Sequence, residues 1–216
     1  MNQHFLRHRQ HYKADMMARY GLNERVYDEA SLSIAPLAAP FSLRRGELLQ
    51  RAGQTAREVF WLTSGVARVG YVSETGNEIT MRFATEGQGA NAYEDYLEFR
   101  EQQPVDSFIV AETAVNGYRF DWQAVCRVRR ESSSLLEYHT GLLEHALGSQ
   151  ARRFVTHSAF DAEERLSIFR QDYPGLERRI SQKVLASYLQ ITPAYLSQLI
   201  RRESERDAAG LTYTGA

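Results

Sequence analysis

A change of periodicity near Phe120 constrains this chain more than any other feature. From about residue 31 to 120 the sequence is a series of short β-rich runs punctuated by glycine: LLQRAG, EVFWLTSG, VARVGYVSETG, EITMRFATEG, SFIVAETAVNG and YRF. Strand-forming residues broken by turn signals at this interval predict an antiparallel sandwich or barrel. Gly53, Gly65, Gly76 and Gly87 fall where the chain should reverse, and Glu74-Thr75-Gly76-Asn77 reads as a hairpin tip. The interruption QGANAYEDYLEFREQQP, residues 88 to 104, has helix-favouring residues in its middle and a proline at its end, so a short helix inserted into a β-roll is expected. Residues 1 to 30 are polar, with Leu6, Met16, Met17, Tyr20, Leu22 and Val26 as apolar positions, and read as one or two short surface helices.

Past Phe120 glycine becomes sparse and the helical period takes over. Between Ser134 and His157 the residues Leu136, Thr140, Leu143, Leu147, Gln150, Phe154 and His157 recur at alternating spacings of four and three, with Leu135, Leu142 and Ala146 widening the stripe. Such a stripe packs within its own chain or against a second copy. On a long helix leaving a β-domain it predicts a homodimer, with Leu136, Leu143, Leu147 and Phe154 at the interface. A second amphipathic segment, AEERLSIFRQDYP, follows and ends at Pro174-Gly175.

Several function classes are excluded or unsupported. Cys126 is the only cysteine, so an intrachain disulfide and a metal or cluster site built from several thiolates of one chain cannot form. The six histidines, at 4, 8, 11, 139, 145 and 157, all lie outside the β-segment, where a metal-dependent enzyme of this architecture would need them. No enzyme, metal or cofactor is therefore expected, and Cys126 reads as a small buried hydrophobe. No run approaches the roughly 18 to 20 apolar residues of a membrane span, and MNQHFLRHRQHYK lacks the apolar segment of a secretory signal, so a cytoplasmic protein without membrane contact is expected. The net charge of -1 gives no global attraction to nucleic acid, but residues 151 to 206 carry ten basic against seven acidic side chains.

That basic segment contains ISQKVLASYLQITPAYLSQLIRR, residues 180 to 202. Ser181 suits an N-cap, with Leu185, Ala186 and Leu189 on one face. Thr192 suits a second N-cap, followed by Pro193 at the first helical position and by Leu196 and Leu199 facing inward. Counting from Gln182, apolar residues occupy positions four, eight, ten, fifteen and eighteen, with small Ala186 at five where the second helix crosses, as in a helix-turn-helix. Position nine, where a glycine would take a left-handed turn freely, is Gln190, at an expected cost of about 1 kcal/mol. The outward residues of the second helix run from Pro193, Ala194, Tyr195, Ser197 and Gln198 to Arg201 and Arg202, with the N-cap Thr192 beside the first of them. Short or hydrogen-bonding groups near the helix start and guanidinium groups after them suit base edges and phosphates of a major groove. Arg179, Ser181 and Lys183 extend that surface. A second reading stays open, in which the same helices make protein contacts and the chain is a dimeric adaptor or ligand-binding module.

The order of parts resembles the Crp/Fnr family of bacterial transcription regulators over about residues 30 to 202. The carriers are RRGELLQRAGQTAREVFWLTSGVARVGYVSETGNEITMRFATEG and, more specifically, QKVLASYLQITPAYLSQLIRR. The resemblance implies an α+β chain with an N-terminal antiparallel β-roll of the cyclic-nucleotide-binding type, a long dimerisation helix and a C-terminal all-α helix-turn-helix domain. It divides the chain into residues 1–133, 134–157 and 158–216. It further implies double-stranded DNA and a second copy of the chain as partners, RNA polymerase as a candidate partner, and an effector whose identity the sequence does not give. Three departures qualify it. Val105 and Asp106 stand where members that bind cyclic AMP carry arginine and a hydroxyl residue, so cyclic nucleotide binding is not expected. Pro193, Ala194 and Gln198 replace the arginine, glutamate and arginine of the best-known recognition helices, so their operator is not carried over. Finally, ESERDAAGLTYTGA after the second helix leaves a wing doubtful.

Overall fold

Three short helices open the chain: α1 (Gln3–His11), α2 (Lys13–Tyr20) and α3 (Glu24–Ile34). The computed structural model describes residues 2–208. Asn2 and Asn23 cap α1 and α3, their side chains accepting hydrogen bonds from the backbone N–H groups of Phe5 and Val26. The sequence predicts surface helices here, and the structure corrects that expectation. Phe5 is fully buried, edge-on to Trp61, Tyr118 and Phe120 with ring centroids 5.1 to 5.9 Å away. The buried Arg9 guanidinium lies over the rings of Tyr27 and Tyr138 and donates to Ser31 Oγ at 3.0 Å and Tyr138 Oη at 3.1 Å. Cation–π contact and hydrogen bonds together offset the desolvation of that charge. The arm thus forms a lid of the core.

The β-roll consists of β1 (Ala39–Leu43), β2 (Leu48–Gln50), β3 (Gln54–Thr55), β4 (Glu58–Ser64), β5 (Ala67–Val72), β6 (Glu78–Ala84), β7 (Gly89–Ala90), β8 (Pro104–Val105), β9 (Phe108–Ala111) and β10 (Val115–Asp121). Every pairing is antiparallel. One sheet has the order β1-β10-β4-β7, a second β2-β9-β5-β6, and β3 pairs with β8. Phe60, Leu62, Val69, Ile109 and Val115 fill the roll. The hairpin tip is where the sequence places it: Gly76 takes φ 80° between β5 and β6, and the Ser73 N–H donates to Asn77 O at 2.8 Å. The expected insert is a short helix, α4 (Tyr96–Glu101).

After β10 the chain is helical. In α5 (Trp122–Glu131), Trp122 and Val125 turn into the core. Ser132, in extended conformation, then caps α6 (Ser133–Ala159), a 27-residue helix. Its Leu135, Tyr138 and His139 face the roll and arm, and Gly141 brings it against α2, since a Cβ there would lie 2.2 Å from the Tyr20 carbonyl oxygen. Its stripe toward the C-terminal half is uncovered: Leu147 and Phe154 are 72% and 74% exposed, Leu136 is exposed and Leu143 half-buried.

The last unit begins with α7 (Ala162–Asp172), opened by an Asp161–Glu164 capping box. It continues through a left-handed Gly175 to α8 (Gln182–Leu189) and α9 (Pro193–Ala208). Leu166, Phe169, Leu176, Leu185, Leu189 and Leu196 form its core, and Phe83 from β6 joins them. Phe83 meets Phe169, Tyr173 and Tyr188 at centroid distances of 6.1, 5.6 and 5.5 Å, so the helical unit is seated on the outer face of the roll. Around that ring, Ser187 Oγ accepts from the Thr80 N–H at 2.9 Å and donates to Glu78 O at 2.8 Å. Arg153 donates to Thr80 O at 2.7 Å.

Candidate nucleic-acid interface

The helix pair has the geometry its sequence predicts. Ser181 caps α8 by accepting from the Val184 N–H, and Thr192 Oγ1 accepts from the Tyr195 N–H at the start of α9. Between them Gln190 takes φ 55° and ψ 45°, the left-handed conformation expected at position nine, and its N–H donates back to α8. Leu196 and Leu199 are buried; Thr192, Ala194, Tyr195, Ser197, Gln198, Arg201 and Arg202 are exposed on the opposite face of α9. The site is one continuous outward face, beginning at a helix N-terminus whose dipole favours phosphate.

The charges around this face are sorted by pairing. Arg170 on α7 donates to Glu177 at 2.7 Å and to Glu203 at 3.0 Å, and Arg206 meets Glu163 at 3.1 Å. The hydrogen bond to Glu177, with a further one to Glu203, raises the Arg170 pKa against the effect of burial. Glu203 follows Leu196 and Leu199 by helical spacing on the inward side of α9, so three carboxylates are spent away from the outward face. Among the described residues, Lys183, Gln198 and Arg202 have no hydrogen-bond or ion-pair partner. Arg201 has a loose contact with Glu205 at 3.5 Å. Ser197 is engaged locally, its Oγ donating to Pro193 O. Arg179 is held elsewhere: Nη1 donates to Glu86 Oε2 of the roll at 3.0 Å, and this bond raises the arginine's pKa.

Many solved structures share this arrangement, and three illustrate it. The Bradyrhizobium japonicum protein FixK2 is 18% identical with a TM-score of 0.60, over 83% of this chain and 89% of that one. A crp/fnr-family regulator from Eubacterium rectale is 14% identical with a TM-score of 0.66, over 90% and 88%. CLP from Xanthomonas campestris, described as a c-di-GMP responsive global regulator, is 13% identical with a TM-score of 0.64, over 87% and 95%. The fold is that of the Crp/Fnr regulators. No protein-family model and no curated protein matches the sequence. The roll loop that the sequence singles out carries acidic side chains of its own. Asp95 accepts from the Tyr71 hydroxyl at 2.6 Å and the Ser107 N–H at 2.7 Å, Val105 is fully buried, and Asp106 is exposed. The segment after α9, where a wing would follow, lies outside the described residues.

Sequence reasoning did not find the seat of the helical unit on β6. Phe83 and Ser187 sit in elements read correctly, but periodicity reports which way a residue points and not what meets it. Cys126, expected to be buried, is only half-buried at the edge of the core, and that burial pushes its thiol pKa up, opposed by Arg129 and Arg130. Among the described residues no group of His, Cys, Asp and Glu is arranged to hold a metal, and no helix is long and apolar enough to cross a membrane.

Proposed function

We propose that the chain is a sequence-specific, DNA-binding transcription regulator that acts as a homodimer and without catalysis. The observation that carries this reading is the outward face of α9. Hydrogen-bonding side chains lead it, arginines follow, and the two leucines that would otherwise interrupt it are turned inward. Ala194, Tyr195 and Gln198 are the base-reading residues; Lys183, Arg201 and Arg202 contact phosphate, with Arg179 joining them when released from Glu86. Thr192 joins the base-edge group, and Ser181 and Ser197 belong to the same DNA-facing surface, Ser181 and Thr192 also capping α8 and α9. Residues 1–133 serve as the sensor unit, 134–157 as the dimer helix with Leu136, Leu143, Leu147 and Phe154 at its seam, and 158–216 as the reader. A soluble cytoplasmic location and contact with RNA polymerase accord with this role. Cyclic AMP and cyclic GMP are not the effectors, because Asp95 and Asp106 place negative charge in the loop a phosphate would need.

Two variants test the reading on a site selected from random duplexes. Gln198→Ala costs about 1 to 3 kcal/mol and relaxes preference at one base pair per half-site. Arg202→Ala weakens all sequences alike and makes the salt slope shallower by about one. Equal salt slopes in wild type and Arg202→Ala, with no change of preference in Gln198→Ala, would favour the adaptor.

A further inference from the structure

The turn between β1 and β2 carries two adjacent arginines, Arg44 and Arg45, both exposed. Its backbone is fixed. The Glu47 N–H donates to Arg44 O at 3.1 Å across a type II turn in which Gly46 takes φ 87°. Ala111 of β9 holds the turn from both sides, accepting from the Gly46 N–H at 2.7 Å and donating to Glu47 O at 2.9 Å. The turn's one carboxylate, Glu47, accepts from the Arg44 backbone N–H at 2.7 Å and engages neither guanidinium. Across from the turn lies the start of α8, and Arg45 and Lys183 line one cavity of about 270 Å³ between the roll and the helical unit. Two carboxylates also line it, Glu78 and Glu112, and Arg68 takes both, at 2.7 and 2.5 Å. Arg45 and Lys183 are the cations left over, their side chains without a hydrogen-bond or ion-pair partner among the described residues.

We propose, resting on the reading of duplex DNA by α9, that Arg45 contacts a phosphate flanking each half-site and so extends the duplex-binding surface from the reader onto the roll. Two unpaired cations of separate units lining one space repel each other, and the seat of the helical unit on Phe83 and Thr80 holds them there. A phosphate path relieves that repulsion, since one backbone can pass Lys183 at the start of α8 and go on to Arg45. The guanidinium fork matches phosphate oxygens, and the fixed turn presents it without a further ordering cost to the backbone. Arg44 adds its charge to the same turn. The contact reads no base, so it adds affinity and salt dependence and leaves the preferred sequence as α9 sets it. Because Arg45 belongs to the roll and Lys183 to the helical unit, flanking duplex bridges the two.

The test is the salt dependence of binding to two duplexes that carry the same selected site. One ends at the outer edges of the half-sites, and the other extends about one helical turn, about 10 base pairs, beyond each. The full chain should show a steeper salt slope on the extended duplex, by about one per protomer. Arg45→Gln should remove that difference and leave the short duplex and the preferred sequence unchanged. Arg57→Gln takes the same charge from an exposed arginine outside the cavity, next to the start of α5, and should leave both slopes as in wild type. Equal slopes on the two duplexes for wild type, or an extended-duplex slope lowered as much by Arg57→Gln as by Arg45→Gln, would overturn the roll contact while α9 still reads DNA. Absence of binding to either duplex would overturn that reading and the contact with it.

Discussion

Phe83→Ala removes the ring on which the helical unit is seated, and its effect can be sized from the contacts. The side chain is 2% exposed and meets three rings of the other unit. Truncating a buried phenylalanine costs about 3 to 5 kcal/mol, of which each ring pair supplies about 0.5 to 1.5 beyond its area burial. The neighbouring polar contacts are weaker. The two Ser187 hydrogen bonds and that from Arg153 are worth about 0.5 to 1.5 kcal/mol each, and the partly exposed Arg179–Glu86 pair about 0 to 1. Loss of Phe83 should therefore uncouple the units and not merely weaken both. The assay is urea unfolding at fixed protein concentration followed by two probes. Both tryptophans, Trp61 and Trp122, are buried in the core formed by the roll and the N-terminal arm, so fluorescence reports that region, whereas far-ultraviolet circular dichroism reports every helix. The variant should lose about 3 to 5 kcal/mol and show a circular dichroism transition that precedes the fluorescence transition. A loss under about 1 kcal/mol with coincident transitions would refute the seating argument.

Three further outcomes follow from named residues. Leu147→Glu with Phe154→Glu alters two side chains that touch little of their own chain, so light scattering should show a dimer become a folded monomer; a wild-type monomer at micromolar concentration would contradict this. Gln190→Gly relieves about 1 to 2 kcal/mol of left-handed strain against about 0.4 to 1 kcal/mol of added unfolded-state entropy, and should raise the denaturation midpoint slightly; a lower midpoint would be inconsistent with it. The His139 pKa is pushed down to about 4 by burial and then by the Arg129 charge, from an ordinary 6.5, so between those two values the unfolded chain binds the proton and the native chain does not. Stability should be fully present above pH 6.5 and fall as pH drops toward 4, by about 3 kcal/mol, and His139→Gln should flatten that slope.

What the sequence made legible was local. Glycines at reversals marked the roll, and the αα-pair could be read down to Gln190, because a three-residue turn between two capped helices dictates which position must be left-handed. The outward face of α9 was legible for the same reason: four-and-three spacing settles which side of a helix a core claims. Partners distant in sequence were not legible. Phe5 packs on Trp61, Tyr118 and Phe120, and Arg9 on Tyr27 and Tyr138, so a polar arm reads as surface although its few large side chains are core. Arg45 and Lys183 likewise look like unrelated solvated charges in sequence, and only the fold brings them to one cavity.

In the proposed function, two α9 helices presented by one dimer read duplex DNA. The decisive measurement is retention of a random-sequence duplex pool by the full chain at rising salt. The expected result is retained duplex whose affinity falls linearly on a log–log plot against salt, with selected sites containing paired half-sites about one helical turn, roughly 34 to 36 Å, apart. No retention at low salt, or selection of single unpaired half-sites, would contradict it.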